Sequence, residues 1–320
     1  MNFQYITIAK RLYPNIKTFR AILYLELKIK CKICCAILQG PIELSTYTSE
    51  ISKVKKECSQ GGSVVNALLA TGLYKIRALT RNPNSDKAKA LKAKGVDEVV
   101  KCDLSNKEDI KNALSGADIA WILIIGVNPG EEERQGKLIA DAAKEVGFNW
   151  LIYSFLPDST TESDGKYPAI INLSGKNRVE QYIRSLGIPN TTFCLSQMMQ
   201  FMIDVESDTG PIVAKIIEEG PAKWNGKKVP VAAESVGLKH LADVLTKVTG
   251  KTHKIRTLND DDIKEFSFID TDELKQMHKW FIDYGLFGKD NELKDISIAK
   301  KLHPKIKSFE QYAIETYPKA

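Results

Sequence analysis

Histidine is scarce in this chain. Four occur in 320 residues, His240, His253, His278 and His303, and they stand far apart. No pair has the spacing of a metal site or of a relay to a nucleophile, so all four read as solvated side chains. Cysteine is little commoner. Six in a chain of this length cannot make the dense disulfide framework of a small secreted domain. Cys31, Cys34 and Cys35 cluster, but no second Cys/His pair follows at zinc spacing. Long apolar runs are missing near the N-terminus, where Arg20, Lys28, Lys30 and Lys32 interrupt every stretch before it reaches a membrane span or a secretion signal. Charge of one sign is missing as well: 46 basic and 40 acidic residues leave +6, spread along the sequence. So small and scattered an excess gives no ground for inferring a nucleic-acid or membrane partner. The expectation is a reducing, cytoplasmic setting, with the nucleus also open. Sequons at Asn172 and Asn190 then carry no weight.

What is present is enough apolar material, 43%, for one large α/β domain and a smaller appended part. The organising stretch is 59–83. Gly61-Gly62 opens a segment in which Val64, Val65, Leu68 and Leu69 recur at helical spacing, and Gly72 ends it. A β-type run, Ile76 to Thr80, follows and closes on Arg81-Asn82-Pro83. Glycine turn, helix and second strand in this order make a dinucleotide-binding βαβ unit, whose glycines let backbone N–H groups approach a pyrophosphate at a helix N-terminus. The second strand ends about 20 residues past the glycines, where the adenosine ribose is read. An acid there accepts from a free 2′-hydroxyl; Arg81 is a cation and suits a 2′-phosphate, hence NADP(H) over NAD(H).

From residue 74 the alternation is regular. Strands are expected at 75–80, 96–101, 117–125, 149–154 and 190–195, helices at 85–94, 106–115, 131–146 and 174–186, and a polar loop at 155–169. This pitch predicts a doubly wound parallel sheet. Beyond 197 the pattern loosens into turn signals at Gly210-Pro211, Gly220-Pro221 and Asn225-Gly226, with helices expected at 211–218, 237–249 and 272–284 and a short docked helix at 308–317. No linker rich in Pro, Gly or Ser separates this smaller α+β part, residues 197–320, from a Rossmann domain at 59–196, so packing contact is expected.

Gln60-Gly61-Gly62-Ser63-Val64-Val65 with Thr80-Arg81-Asn82-Pro83 resembles the NmrA-like family of atypical short-chain dehydrogenases. Lys101-Cys102-Asp103-Leu104, the run Gly136 to Ala143, Ile152 to Pro157, and Lys176 with Val179 to Ile183 fit the same pattern, over about 59–315. The resemblance implies an NAD(P)-binding Rossmann domain. It implies cofactor contacts from Gln60, Gly61, Gly62, Arg81, Asn82, Asp103 (beside the adenine) and Lys176. Many members are thought to sense or bind the dinucleotide rather than turn it over.

Residues 1–58 do not fit. Ile6 to Phe19 nearly repeats Ile296 to Phe309, once, at the opposite end of the chain. Either the N-terminus is the tail of a tandem relative joined by fusion or by a mis-assembled gene, or the likeness is a coincidence of short amphipathic segments. The family's first strand runs into Gly-x-x-Gly-x-x-Gly; counted back from Gly61, the first two glycines fall on Lys55 and Cys58. Ile51 to Cys58, with three lysines, cannot be a central strand buried on both faces. The run Ile33 to Leu38 is the better candidate for that slot, with 41–58 as an insertion where a tight turn belongs.

Ordinary short-chain dehydrogenases use Tyr-x-x-x-Lys. Lys176 sits in the expected helix, but four residues earlier stands Asn172, an amide that cannot supply the proton. Tyr167 is nine residues before the lysine. Lys176 holds a ribose, acts alone as acid/base as proposed for isoflavone-reductase-like relatives, or meets only solvent. Ser154 stands near the dehydrogenase serine, followed by Phe155 where the family often has a second hydroxyl, and Met198, Met199 and Phe201 could wall a nicotinamide pocket or simply pack. The expected function is NAD(P)(H) binding as a redox sensor or regulator without turnover, with binding weakened or lost through the missing glycine turn and with a regulatory protein as possible partner. The alternative is an NADPH-dependent reductase of the quinone- or isoflavone-reductase type using Lys176. Neither metal, direct nucleic acid contact nor membrane enters either.

Overall fold

The computed structural model describes residues 31–37, 59–124, 129–195, 203–254, 271–285, 287–289 and 291–317. The repeat at 6–19, the insertion at 41–58, the loop 126–128 and the Met-rich stretch 196–201 lie outside the described residues. The strands are β1 (Cys31–Ile37), β2 (Tyr74–Thr80), β3 (Glu98–Lys101), β4 (Ile119–Leu123), β5 (Trp150–Phe155), β6 (Asn190–Leu195) and β7 (Lys228–Val231). They form one sheet in the order β3-β2-β1-β4-β5-β6-β7, parallel throughout. β1 lies between β2 and β4, with Cys31 opposite Tyr74 and Ile33 opposite Ile119.

Both faces are covered. The sheet's period of two sends alternate residues to opposite layers. Ala120 and Ile122 of β4 face α3 (Lys107–Leu114), α4 (Pro129–Glu145) and α6 (Ile171–Ser185), where Ile110, Ile139, Ala143 and Val179 are buried. Ile119 and Trp121 face α1 (Ser59–Thr71) and α7 (Val205–Glu219), meeting Val64, Leu68, Ile212 and Ile216. A strand buried on both faces needs a continuous apolar run, and β4 is buried at every position. α2 (Asp86–Ala93) starts where the Ser85 hydroxyl accepts from the Ala88 amide; α3 starts where Asn106 accepts from the Glu108 and Asp109 amides. α1 ends where Gly72 takes φ +63°, a conformation costly for any residue with a Cβ.

The structure departs from expectation beyond residue 197. β7 adds a seventh strand to the main sheet, where only turn signals were legible. It carries Pro230, which an edge strand tolerates because one row of its donors faces outward. α7 starts at Val205, not 211. Asp204 caps it by accepting from the Glu206 and Ser207 amides, and Pro211 sits inside the helix. α6 likewise begins at Ile171. The supposed loop 155–169 contains a turn of helix, α5 (Ser159–Glu162), capped by Asp158. α8 (Pro221–Trp224), α9 (Leu238–Thr249), α10 (Thr271–Tyr284), α11 (Ser297–Leu302) and α12 (Phe309–Thr316) are the remaining α-helices among the described residues. His303 is not a solvated side chain: its Nε2 lies 3.2 Å from Oδ1 of the buried Asp208.

Candidate functional site

Parallel strands all point one way, so the segments leaving their C-terminal ends share an edge. At β1 and β4 the strand order turns back, the place where open sheets of this class take ligands. Gln60, Gly61 and Gly62 form the first turn of α1. Gln60 is buried, and its Oε1 accepts from the Ser154 hydroxyl at 3.4 Å. Ser154 is near the end of β5, so this contact sets the N-terminus of α1 on the C-terminal edge. Gly62 leaves room there: a Cβ built on it would meet nothing within 4 Å among the described residues.

Arg81 and Asn82 leave the end of β2 and are exposed. The Asn82 amide donates to Thr80 Oγ1 at 3.2 Å and its side-chain oxygen accepts from the Asn84 amide at 3.0 Å, which shapes the turn into α2. Asp103, past the end of β3, is exposed as well. Its Oδ1 accepts from the Ser105 amide at 2.9 Å, and its own amide donates to Asp109 Oδ2 at 3.1 Å. A network ties this loop to α4: Ser105 Oγ donates to Glu131, which also accepts from Arg134 and Gln135. The Arg134 hydrogen bond leads in pulling the Glu131 carboxyl down to about 2, against partial burial and with help from Gln135 and Ser105.

Lys176 stands on α6. Its Nζ donates to the Ile124 carbonyl and to Glu132 Oε1, each at 2.7 Å. The lysine side chain is 13% exposed and the glutamate 9%. Glu132 belongs to the first turn of α4, whose positive end favours a carboxylate. Asn172 lies one turn before Lys176 in α6. Tyr167 serves elsewhere: it is buried, its hydroxyl donates to Asp283 at 2.5 Å, and its ring meets Trp280 and Tyr284 edge-on. The loop after β5 is held by Asp158, which accepts from Ser174 Oγ at 2.5 Å, from Thr161 Oγ1 at 2.9 Å and from the Thr160 amide at 3.0 Å. Burial pushes the Asp158 carboxyl up, but these bonds outweigh it and leave the group below its ordinary value.

The C-terminal edge thus brings Gln60, Gly61, Gly62, Arg81, Asn82, Asp103 and Lys176 to one side of the molecule. Sequence reasoning missed Glu132 as the partner of Lys176. The acidic run Glu131 to Glu133 was visible, but only as a favourable helix start. Among the described residues no group of histidine, cysteine and carboxylate side chains could hold a metal ion, and no helix is long and apolar enough to cross a membrane.

Comparison with known proteins agrees with this architecture. An NmrA-like family domain-containing protein of Dictyostelium discoideum is 29% identical over 291 residues, 79% of this chain and 93% of that one. The NmrA-like family domain-containing oxidoreductase notA of an Aspergillus species is 34% identical over 147 residues, but these span only 43% of either chain. The crystal structure of NmrA, a negative transcriptional regulator, in complex with NADP superposes with a TM-score of 0.67 at 20% identity, covering 90% of this chain and 95% of that one. The model of the NmrA-like family matches residues 58–202 and 196–313, and the chain accordingly belongs to the NmrA-like family.

Proposed function

We propose that this chain binds a nicotinamide dinucleotide along the C-terminal edge, NADP(H) before NAD(H), and reports its presence to a protein partner instead of turning it over. The observation that carries this is the shared edge: a helix mouth where, among the described residues, nothing crowds Gly62, and Arg81 one strand away at the end of β2. The amides of Gly61 and Gly62 would take the pyrophosphate. Arg81 and Asn82 would take the 2′-phosphate side, Asp103 the adenine side, and Lys176 the ribose nearer the reactive ring. The bound dinucleotide would supply hydride chemistry, and the chain lacks the tyrosine that ordinarily donates the proton. The Lys176 ammonium already serves a carboxylate and a carbonyl. Crystal structures of NmrA include complexes with NADP and with NAD, which supports a nicotinamide dinucleotide; the order of preference rests on Arg81 alone.

Binding is expected to be weak. Counted back from Gly61, the first two glycines of the family's turn fall on Lys55 and Cys58, and where such a turn demands positive φ a non-glycine residue costs about 1–2 kcal/mol. Two such positions cost roughly ten- to a thousandfold in affinity. Calorimetric titration tests this. NADP(H) should bind in the high micromolar to millimolar range and more tightly than NAD(H), and Arg81→Ala should remove that preference. Equal, low-micromolar affinity for both dinucleotides would refute the reading.

A second reading, an NADPH-dependent reductase using Lys176, is favoured by relatives named as oxidoreductases. Steady-state NADPH oxidation with a panel of quinones and enones separates the two. Turnover that Lys176→Met abolishes, in a variant shown to remain folded, favours the reductase.

A further inference from the structure

The chain carries two copies of one segment and a single described seat for it. Residues 6–19 match residues 296–309 at a constant offset. In the structure the C-terminal copy is docked through four anchors. Ala299, Leu302 and Ile306 enter the core formed by α1, α7 and β7, and Phe309 enters the cluster of Val244 and Val248 on α9. Three polar contacts fix its register. The Phe309 amide donates to Glu234 at 2.6 Å, Lys307 Nζ reaches Asp204 at 3.1 Å, and His303 Nε2 lies 3.2 Å from Asp208.

All four anchors are kept in the N-terminal copy, as Ala9, Leu12, Ile16 and Phe19, together with Pro14 and Lys17 at the places of Pro304 and Lys307. Elsewhere three exposed positions differ, Ser297, Lys301 and Lys305 being Thr7, Arg11 and Asn15, and half-buried Ser308 is Thr18, which keeps a hydroxyl at the capping place. The one change facing the seat is Tyr13 for His303. A phenolic hydroxyl there would still offer a donor to Asp208, whose Oδ2 is buried and without a partner among the described residues. A coincidental amphipathic repeat would keep apolar character; it would not keep each anchor's identity and the basic residue that meets Asp204.

We propose that residues 6–19 of the same chain are a second tenant of this seat, competing with residues 296–309. Reach is no obstacle. Leu302 lines a cavity with Thr71, Leu73 and Tyr74, and Tyr74 is the ladder partner of Cys31. Leu12 lies nineteen positions before Cys31, up to ~60 Å of extended chain, whereas adjacent strands lie only ~4.8 Å apart. The C-terminal copy holds the advantage beyond Phe309. There Glu310 pairs with Lys247 at 2.6 Å and Ala313 is fully buried. The corresponding N-terminal residues are Arg20, which would repel that lysine, and Leu23, too large for the alanine's place. The N-terminal copy is therefore the minor tenant, and it gains the seat when the resident is weakened.

The test uses the full chain with a photoreactive benzoylphenylalanine at position 13, the place matching His303, and maps its adducts by mass spectrometry. Adducts within residues 204–213 on the same chain are expected in a minor fraction of molecules. Their yield should rise at least tenfold in Glu310→Arg/Ala313→Leu, which transfers the N-terminal copy's disadvantages to the resident. Phe309→Ala is the second variant, should the first fail to fold. Leu12→Asp should abolish the adducts while leaving the melting temperature unchanged. Adducts elsewhere in both weakened variants, adducts indifferent to Leu12→Asp, or adducts found only in covalent dimers would each overturn the proposal.

Discussion

The ion pair of Lys176 and Glu132 shows how one residue's meaning depends on what folds against it. Both side chains are largely withdrawn from water, so each charge relies on the other. Removing one partner leaves a buried charge uncompensated. Lys176→Met should therefore lower unfolding free energy by about 3–5 kcal/mol, measured by chemical denaturation, whereas Lys176→Met/Glu132→Leu should recover much of that loss. This matters for any activity assay on Lys176, because lost turnover in the single variant mixes chemistry with stability. Cys102 gives a second residue-scale prediction. Burial, with the negative charges of Asp109 and Asp103 adding to it, pushes its thiol up to about 12. A thiol reacts as its thiolate, so Cys102 should resist alkylation at pH 8 in the folded chain and react once the chain is unfolded in denaturant. Mass spectrometry of the labelled peptides checks it. The sequence showed Cys102 only as part of a family-like motif; its inertness comes from the packing around it.

At the scale of elements, the tightest joint is between α1 and α7. A Cβ built on Gly210 would stand 2.1 Å from the Ser63 carbonyl oxygen, and the Gly210 amide donates to Ser63 Oγ at 2.8 Å. Glycine is needed here for the close approach of two helices. Gly210→Ala should force them apart and cost about 1–3 kcal/mol or more, read as a lower denaturant midpoint. It should also weaken dinucleotide binding if α1 presents the helix mouth proposed above. The sequence marked Gly210-Pro211 as a turn. That signal was honest locally, since both residues punctuate chains, but the Asp204 cap and the buried Ile212, Val213 and Ile216 carry the helix through it. The same override explains β7, whose four residues are too few and too polar at the start to announce a strand until β6 supplies the ladder.

For the molecule as a whole, acid sensitivity follows from carboxylates held below their ordinary values. Glu131 is drawn down first of all by Arg134. In Asp158 and Asp204 burial is the largest influence and acts upward, but hydrogen bonds from Ser174 and Ser207 lead those that outweigh it. A folded-state value below the unfolded one means stability that is complete above the unfolded value and drains away as pH falls through the folded one. Melting temperature should therefore hold from neutral pH down to about 5 and then decline toward pH 2. Asp158→Asn should flatten that decline while lowering the plateau, because its amide cannot replace both carboxylate oxygens. Calorimetric scans across this range check both.

The doubly wound class, the run of strands from β2 to β6 and the glycine-opened helix were set by short-range information: hydrophobic period, glycine stops and cap residues act within a few positions and leave their mark in the chain itself. The structure alone decided which of Glu131, Glu132 and Glu133 turns inward to Lys176, that Ser154 meets Gln60, that His303 faces a buried aspartate, and that Gly210 is a contact rather than a turn. Those facts depend on which surfaces arrive opposite one another after the sheet is wound, and residues 94 or 147 positions apart hold no sign of each other until they do.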